Sequence, residues 1–222
     1  MVFVGIDFSI GSPAFCIFSD GRYRWGSVTR SDRDSTSFLK NTKKPHYILN
    51  ENVDFSIDFL KKESLPEEYS AREGKKIRYF IDVAENLWGS IKRILEEIGD
   101  PEVKIAMEGL SFSSNGNALI DISMSTALLR ERIFNEVGSD NFYVFSPTSI
   151  KKFALKGNSK KDELYEQLSI RENDGTNLDE FCRILRENKS EWITGSKQVN
   201  KPIDDLVDAT WITLYLISEI KK

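Results

Sequence analysis

Val2, Phe3, Val4 and Ile6 form a short, nearly continuous apolar run that ends on an acid, Asp7. A run without polar alternation reads as a strand buried on both faces, so the sheet that holds it needs a layer on each side. Residues 14–18 read as a second strand. Asp20-Gly21 is a two-residue hairpin signal, and Tyr23-Arg24-Trp25 continues as a third strand antiparallel to the second. The chain therefore opens as a three-stranded meander with an acid at the end of its most buried strand.

Between about 27 and 72 the composition turns polar and periodicity is lost apart from residues 53–57, which reads as an excursion from the core. Ile77, Phe80, Ile81, Ala84, Leu87, Trp88, Ile91, Ile94, Leu95 and Ile98 then recur at spacings of three and four. That is one wide apolar stripe on a long amphipathic helix, stopped by Gly99-Asp100-Pro101. Residues 103–107 are another apolar strand that ends in an acid, Glu108. A helix over about 118–137 follows, then a strand over 142–145, then a helix begun by Ser146-Pro147. Ser159 is placed to cap a helix through 168, a polar stretch at about 169–202 holds a short helix near 178–185, and a last helix covers about 203–220. Strands alternate with helices in this half, so the fold class is α/β. The expectation is a single domain over 1–222 with two polar insertions. Its mixed five-stranded sheet opens with the antiparallel meander and is flanked by helices, which is the layout of a ribonuclease-H-like domain.

Composition limits function. At 222 residues, 40% hydrophobic and 30% charged, the chain is long enough for a real core, and a formal net charge of −4 gives it no global basic field, so any nucleic-acid contact must be local. Cys16 and Cys182 lie far apart in apolar stretches, with His46 as the one histidine, which leaves neither a disulfide framework nor a Cys/His zinc site. The apolar segment over 206–220 is short for a membrane span and carries Thr210, Thr213 and Ser218. The N-terminal run lacks the basic flank of a signal peptide, so the expected location is the cytoplasm.

Four carboxylates are expected to converge. Asp7 and Glu108 end buried strands, while Asp205 and Asp208 stand three apart at the start of the closing helix and so share a face. In such a sheet the carboxyl ends of neighbouring strands open on one crevice. Each acid has an ordinary alternative, since one after a strand is commonly a turn residue and Asp204 and Asp205 suit a first helical turn. Asp208 lies inside the apolar run Leu206-Val207-Asp208-Ala209 and Glu108 follows Ile105-Ala106-Met107, where an acid is costly unless paired or bound to a cation. Hard divalent cations are the usual partners of crowded carboxylates, and two Mg²⁺ or Mn²⁺ ions per site would suit phosphodiester hydrolysis.

Taken together, Gly5-Ile6-Asp7-Phe8-Ser9, then Ile105-Ala106-Met107-Glu108-Gly109 with its Phe- and Asn-containing loop, then Ser146-Pro147-Thr148-Ser149-Ile150-Lys151-Lys152 with Lys156-Gly157-Asn158-Ser159-Lys160-Lys161, then Asp205-Leu206-Val207-Asp208-Ala209, resemble the RuvC-type Holliday junction resolvases in a phage-like version. The resemblance implies a magnesium-dependent endonuclease that resolves four-way DNA junctions or other branched DNA, with Asp7, Glu108, Asp205 and Asp208 as catalytic acids and metal ligands. It also implies a homodimer in the cytoplasm of a bacterial host, with no membrane partner and no nucleotide cofactor. Glu108 directly follows a strand, whereas the equivalent acid of true ribonucleases H comes from a helix, and this favours the resolvase branch.

Lys151, Lys152, Lys156, Lys160 and Lys161 place five cations and no acid within eleven residues of an otherwise acidic chain. That is the local basic edge a phosphate backbone needs, although a lysine face is also ordinary solvated surface. Phe112, in the loop after Glu108, is a candidate for stacking on an unpaired base. A four-way junction takes two symmetric nicks and one chain carries one acidic site, so a dyad-related pair is expected, with the stripe over 77–98 as its packing face, joined by the helix that begins near Ala118. Two rival readings remain. One is a ribonuclease-H-like scaffold that binds DNA or protein without cutting. The other is an actin-like or sugar-kinase ATPase, which shares the opening strand and finds a phosphate-loop look-alike in Asp174-Gly175-Thr176, but needs a longer, duplicated chain.

Overall fold

The computed structural model describes residues 1–31, 45–61, 63–110, 116–171, 175–193 and 198–222. Six strands form one mixed sheet: β1 (Val2–Asp7), β2 (Ala14–Ser19), β3 (Arg22–Ser31), β4 (Phe55–Lys61), β5 (Val103–Glu108) and β6 (Phe142–Phe145), in the spatial order β4-β3-β2-β1-β5-β6. β1 runs antiparallel to β2 and parallel to β5, which pairs in parallel with β6. Among the described residues the helices are α1 (Pro45–Asn52), α2 (Tyr69–Ile98), α3 (Asn117–Val137), α4 (Pro147–Ala154), α5 (Lys161–Ser169), α6 (Leu178–Glu187), α7 (Lys189–Trp192) and α8 (Ile203–Ile220).

The arrangement fits a ribonuclease-H-like α/β layout with one correction, six strands in place of five. The added strand, β4, comes from the polar excursion and pairs in parallel with β3 at the sheet edge. Among the described residues one edge of β4 has no strand partner, in keeping with its mostly half-buried side chains and mixed sequence. The long helix also starts two turns earlier than the apolar stripe. Glu68 caps it by accepting from the N–H groups of Ser70 and Ala71, at 2.8 and 2.6 Å. The cap of α5 is shifted by one residue: Lys160 occupies that position, and buried Ser159 instead accepts from the Lys156 N–H at 3.3 Å.

Side-chain alternation on β1 sorts the molecule into three layers. Val2, Val4 and Ile6 join Ile105 and Met107 of β5 in a core with Leu87, Trp88 and Ile91 of α2 and Leu129 and Ile133 of α3. Phe3 and Ala106 face the opposite way, into a core with Leu206, Val207 and Trp211 of α8 and residues of α4–α6. The stripe on α2 is therefore consumed inside the chain, because Phe80, Val83, Ala84, Leu87, Trp88, Ile91 and Ile94 are all buried between the sheet and α3. Its width serves two internal partners, while Ile77 at its start stays 44% exposed. Trp88 adds a polar tie across the layer, donating to Glu136 Oε1 at 2.8 Å.

α8 lies against the centre of the sheet and is held there by the two threonines that break its apolar run. Thr213 donates to the Cys16 carbonyl at 2.9 Å, and Thr210 accepts from the Trp25 indole N–H at 3.0 Å. Both threonines are fully buried. Among the described residues no helix is long and apolar enough to cross a membrane.

Candidate active site

The parity that sends Val4 and Ile6 toward α2 sends Gly5 and Asp7 toward α8. On β5 it does the same for Ala106 and Glu108. Ile6 pairs with Met107, so the next residue on each strand, Asp7 and Glu108, ends adjacent parallel strands at one level. α8 enters the sheet at that end and brings Asp204, Asp205 and Asp208 with it. Asp7, Glu108 and Asp208 line a common cavity of about 210 Å³ with Pro147, Ile150, Lys151, Lys161, Leu164 and Ile212. Asp7 and Glu108 also border a smaller cavity of about 140 Å³ against Leu119, Ile122 and Thr126 of α3.

Burial dominates the electrostatics here. Asp7 is 9% exposed; its burial, followed by the charges of Asp205 and Asp208, pushes its carboxyl well above the usual range, and Lys161 only partly offsets this. Glu108 is pushed up to about 7, first by burial and then by Asp208, against the pull of Lys151 and Lys161. Asp205, 1% exposed, rises to about 6 because burial outweighs the neighbouring Lys201. Burial and like charge thus raise three neighbouring carboxyls, Asp7, Glu108 and Asp205, at one end of the sheet.

The five lysines between 151 and 161 separate into two groups. Lys151 lines the acidic cavity, and Lys161 enters the acid cluster itself, with its ammonium 2.9 Å from Asp208 Oδ2, 3.1 Å from Asp204 Oδ2 and 3.8 Å from Asp205 Oδ1. Burial opposes that charge, but Asp208, Asp7, Asp204 and Asp205 more than compensate and hold Lys161 protonated far above the ordinary lysine range. Lys152, Lys156 and Lys160 remain on the outer surface, Lys156 paired with Glu163 at 2.9 Å. Phe112 lies outside the described residues.

Three participants carried no distinct sequence signal. Lys201 contacts Asp205 Oδ1 and stands 3.3 Å from Asp204 Oδ2. Its spacing of three and four residues from these acids is legible, but nothing in the chain's composition distinguishes it from other lysines. Asp204, read as a first-turn acid, is 7% exposed and faces both Lys161 and Lys201. Arg130 of α3 donates to the backbone carbonyl of Glu108 at 3.0 Å and so anchors the end of β5.

The donor set is all oxygen, as hard divalent cations prefer, and Asp204 Oδ1 and Asp205 Oδ2 are buried without a hydrogen-bond partner. The chemistry of the residues thus fits a metal site. Among the described residues no group of three or more His, Cys, Asp or Glu side chains is set to enclose an ion in this conformation. Asp204, Asp205 and Asp208 close on the Lys161 ammonium instead.

Elsewhere, a cleft of about 400 Å³ between β4 and the first turns of α2 is lined by Leu60, Leu65, Tyr79 and Phe80 with charges that pair among themselves, Lys75 with Glu63 at 2.8 Å. Gly175, Thr176 and Asn177 lie at the end of the sheet remote from Asp7, where the Asn177 amide bonds both the N–H and the C=O of Tyr23 at 2.7 Å. The phosphate-loop look-alike is therefore remote from the acids, and its Asp174 lies outside the described residues.

No family model matches this sequence. No curated protein matches it either. Among solved structures, the chain is similar to Thermus thermophilus RuvC, at 16% identity and a TM-score of 0.43 over 100% of this chain and 97% of that one. It is likewise similar to T. thermophilus RuvC in complex with Holliday junction substrate, at 15% identity and a TM-score of 0.45, with 99% and 96% of the two chains covered.

Proposed function

We propose that this chain is a divalent-metal-dependent endonuclease that cuts branched DNA, with the four-way junction as its substrate. The observation that carries the reading is the meeting of Asp7, Glu108 and Asp208 on one cavity, with Asp205 buried behind them, in a site with no histidine to act as a base. Asp7, Glu108, Asp205 and Asp208 would hold Mg²⁺ or Mn²⁺. The cations, when bound, would supply activation of a water and neutralisation of charge at the leaving oxygen. The residues of the chain orient these partners: Arg130 fixes the strand end that carries Glu108, and Thr210 and Thr213 fix the helix that carries Asp205 and Asp208. A fluorescent four-way junction, a linear duplex and an RNA/DNA hybrid, each titrated with Mg²⁺ and Mn²⁺, test the reading. Metal-dependent paired nicking of the junction in preference to the other two is expected. Equal cutting of the hybrid, or binding without cutting, would replace it with a ribonuclease or with a non-cutting scaffold.

The outer lysines supply the DNA contact in this reading. Lys152→Ala with Lys160→Ala is expected to weaken junction binding uniformly across sequences and to flatten the slope of log K against log salt by about 1 to 2, since each phosphate contact releases roughly 0.9 counterion. Fluorescence anisotropy at several salt concentrations measures this, and an unchanged slope assigns both lysines to ordinary surface.

Paired nicking needs two such sites, so the working form in this reading is a dyad-related dimer. With most of the α2 stripe internal, the candidate packing face in this reading is on α3, where Ile120 and Met124, one turn apart, are 57% and 44% exposed. Ile120→Glu with Met124→Glu is expected to convert a dimer to a 25.5 kDa monomer in sedimentation equilibrium. A wild-type chain that stays monomeric with junction DNA present would leave a single-strand nicking enzyme.

A further inference from the structure

The two ammonium groups in the acid cluster share two oxygens, Asp204 Oδ2 and Asp205 Oδ1, the latter 3.8 Å from Lys161 and in contact with Lys201. Asp204 Oδ2 lies 3.1 Å from Lys161 Nζ and 3.3 Å from Lys201 Nζ. Each lysine also holds an acid of the proposed ligand set, Lys161 reaching Asp208 at 2.9 Å and Lys201 contacting Asp205 Oδ1. The second oxygens, Asp204 Oδ1 and Asp205 Oδ2, are buried and have no hydrogen-bond partner. Exposure is unequal. Asp204 and Asp205 are 7% and 1% exposed and sit on a helix locked to the sheet, whereas Lys161 and Lys201 keep about half of their side chains in solvent, at 49% and 51%. The anions are walled in by the fold, whereas the cations border solvent into which a long side chain has room to turn.

Acids this crowded and this buried need either a proton or positive charge among them. A divalent ion arriving at Asp205 and Asp208 meets lysines already bound to the same oxygens. We propose that Lys201 and Asp204 form a latch that sets divalent-cation occupancy: Lys201 competes with the ion for Asp205, and Asp204 is the carboxylate that retains the displaced ammonium groups beside the site. Asp204 is thereby a positioning residue outside the ligand set, and Lys201 its movable partner. The inference rests on the metal-site reading of the acid cluster.

Binding of Mn²⁺ alone to the intact chain, measured calorimetrically without DNA, tests it. Lys201→Met removes the competitor and is expected to tighten Mn²⁺ binding roughly tenfold, at the lower end of the couplings measured between close charge pairs. Asp204→Asn takes away the charge that holds the ammonium groups, leaves both on Asp205 and Asp208, and is expected to weaken binding by a similar factor.

Simple through-space charge would give the same two signs, so the decisive quantity is the double variant. In a latch, the effect of Asp204→Asn shrinks several-fold once Lys201 is methionine; with through-space charge alone the two effects multiply independently. Lys201→Arg gives a second handle, because it keeps the charge but offers a planar fork to Asp205, and so is expected to weaken Mn²⁺ binding rather than leave it unchanged. Independent effects, or an unchanged affinity in Lys201→Met and Lys201→Arg, overturn the latch and leave the metal site standing. Absence of Mn²⁺ binding by the wild-type chain removes the metal site and the latch together.

Discussion

Replacing Asp7 by asparagine is expected to stop cleavage and to stabilise the chain. The carboxyl of Asp7 is buried, and burial together with Asp205 and Asp208 disfavours its charge. It is an acid the fold carries at a cost. The isosteric amide removes that cost, so the melting temperature should rise by a few degrees at pH 8, at roughly 2–4 °C per kcal/mol for a chain of this size. Removing one preorganised charge from the reacting centre should meanwhile lower the cleavage rate on the order of 10³-fold, with junction binding retained because a neutral side chain repels phosphate less. A variant that melts lower and still cuts would show that Asp7 is a structural residue.

The same physics fixes the sign of the pH dependence. Glu108 titrates near 7 in the folded chain against an ordinary 4.5, and Asp205 near 6 against 3.8. The native state therefore binds protons that the unfolded chain has already released. The stability these groups confer is complete below the ordinary carboxylate values and is lost as pH rises through about 6 to 7. The surrounding charges of Asp7, Asp204, Asp208, Lys151, Lys161 and Lys201 modulate that loss. Divalent cations favour the ionised acids, so saturating Mn²⁺ should raise the melting temperature at pH 8 and have little effect at pH 5.

The second large effect is expected at Gly5. A Cβ at this position would fall 2.4 Å from Thr213 Oγ1, 2.5 Å from the Ala209 carbonyl oxygen and 2.5 Å from the Thr213 nitrogen. Two of those atoms are helix backbone and cannot turn aside. Gly5→Ala must push α8 off β1, and α8 is the element that carries Asp205 and Asp208 toward Asp7. Overpacking of this kind costs about 1–3 kcal/mol or more, so the melting temperature should fall by several degrees and cleavage should fall with it. Gly89 supplies the contrast. It is exposed on α2 with open space around it, and Gly89→Ala should stabilise by roughly 0.5–1 kcal/mol through helix propensity alone. Differential scanning calorimetry of both variants checks the pair, and a neutral Gly5→Ala would mean that α8 is not seated as described.

What could be read from the sequence follows from how strongly each segment is determined. β1 and α8 are nearly all apolar, and a segment buried on every side announces its type and limits; the α8 boundaries match those expected. The acids at Asp7 and Glu108 were legible because a carboxylate at the end of a buried strand violates the local pattern. β4 was not, since an edge strand needs only one buried face and Phe55–Lys61 mixes Ser56, Asp58 and Lys61 into its run. The first turns of α2 were lost for a similar reason: they are polar, solvent-facing and capped by a glutamate rather than by the usual Ser, Thr or Asp. Lys160 and Lys161 adjoin in sequence yet separate in space, one on the outer surface and one among the acids. A cluster of like residues shows that charge is present, but its direction is set by the helix that begins there.

The proposed chemistry requires that the carboxylates of Asp7, Glu108, Asp205 and Asp208 bind divalent cations. Anomalous diffraction from crystals soaked in Mn²⁺ answers this without reference to activity. The expected result is density for two ions, about 3.5–4 Å apart, in the cavity bounded by Asp7, Glu108 and Asp208, with Asp205 among the ligands and the Lys161 ammonium displaced from Asp208. A cavity with no anomalous peak at saturating Mn²⁺, with Lys161 still bound to Asp208 and Asp204, would contradict it.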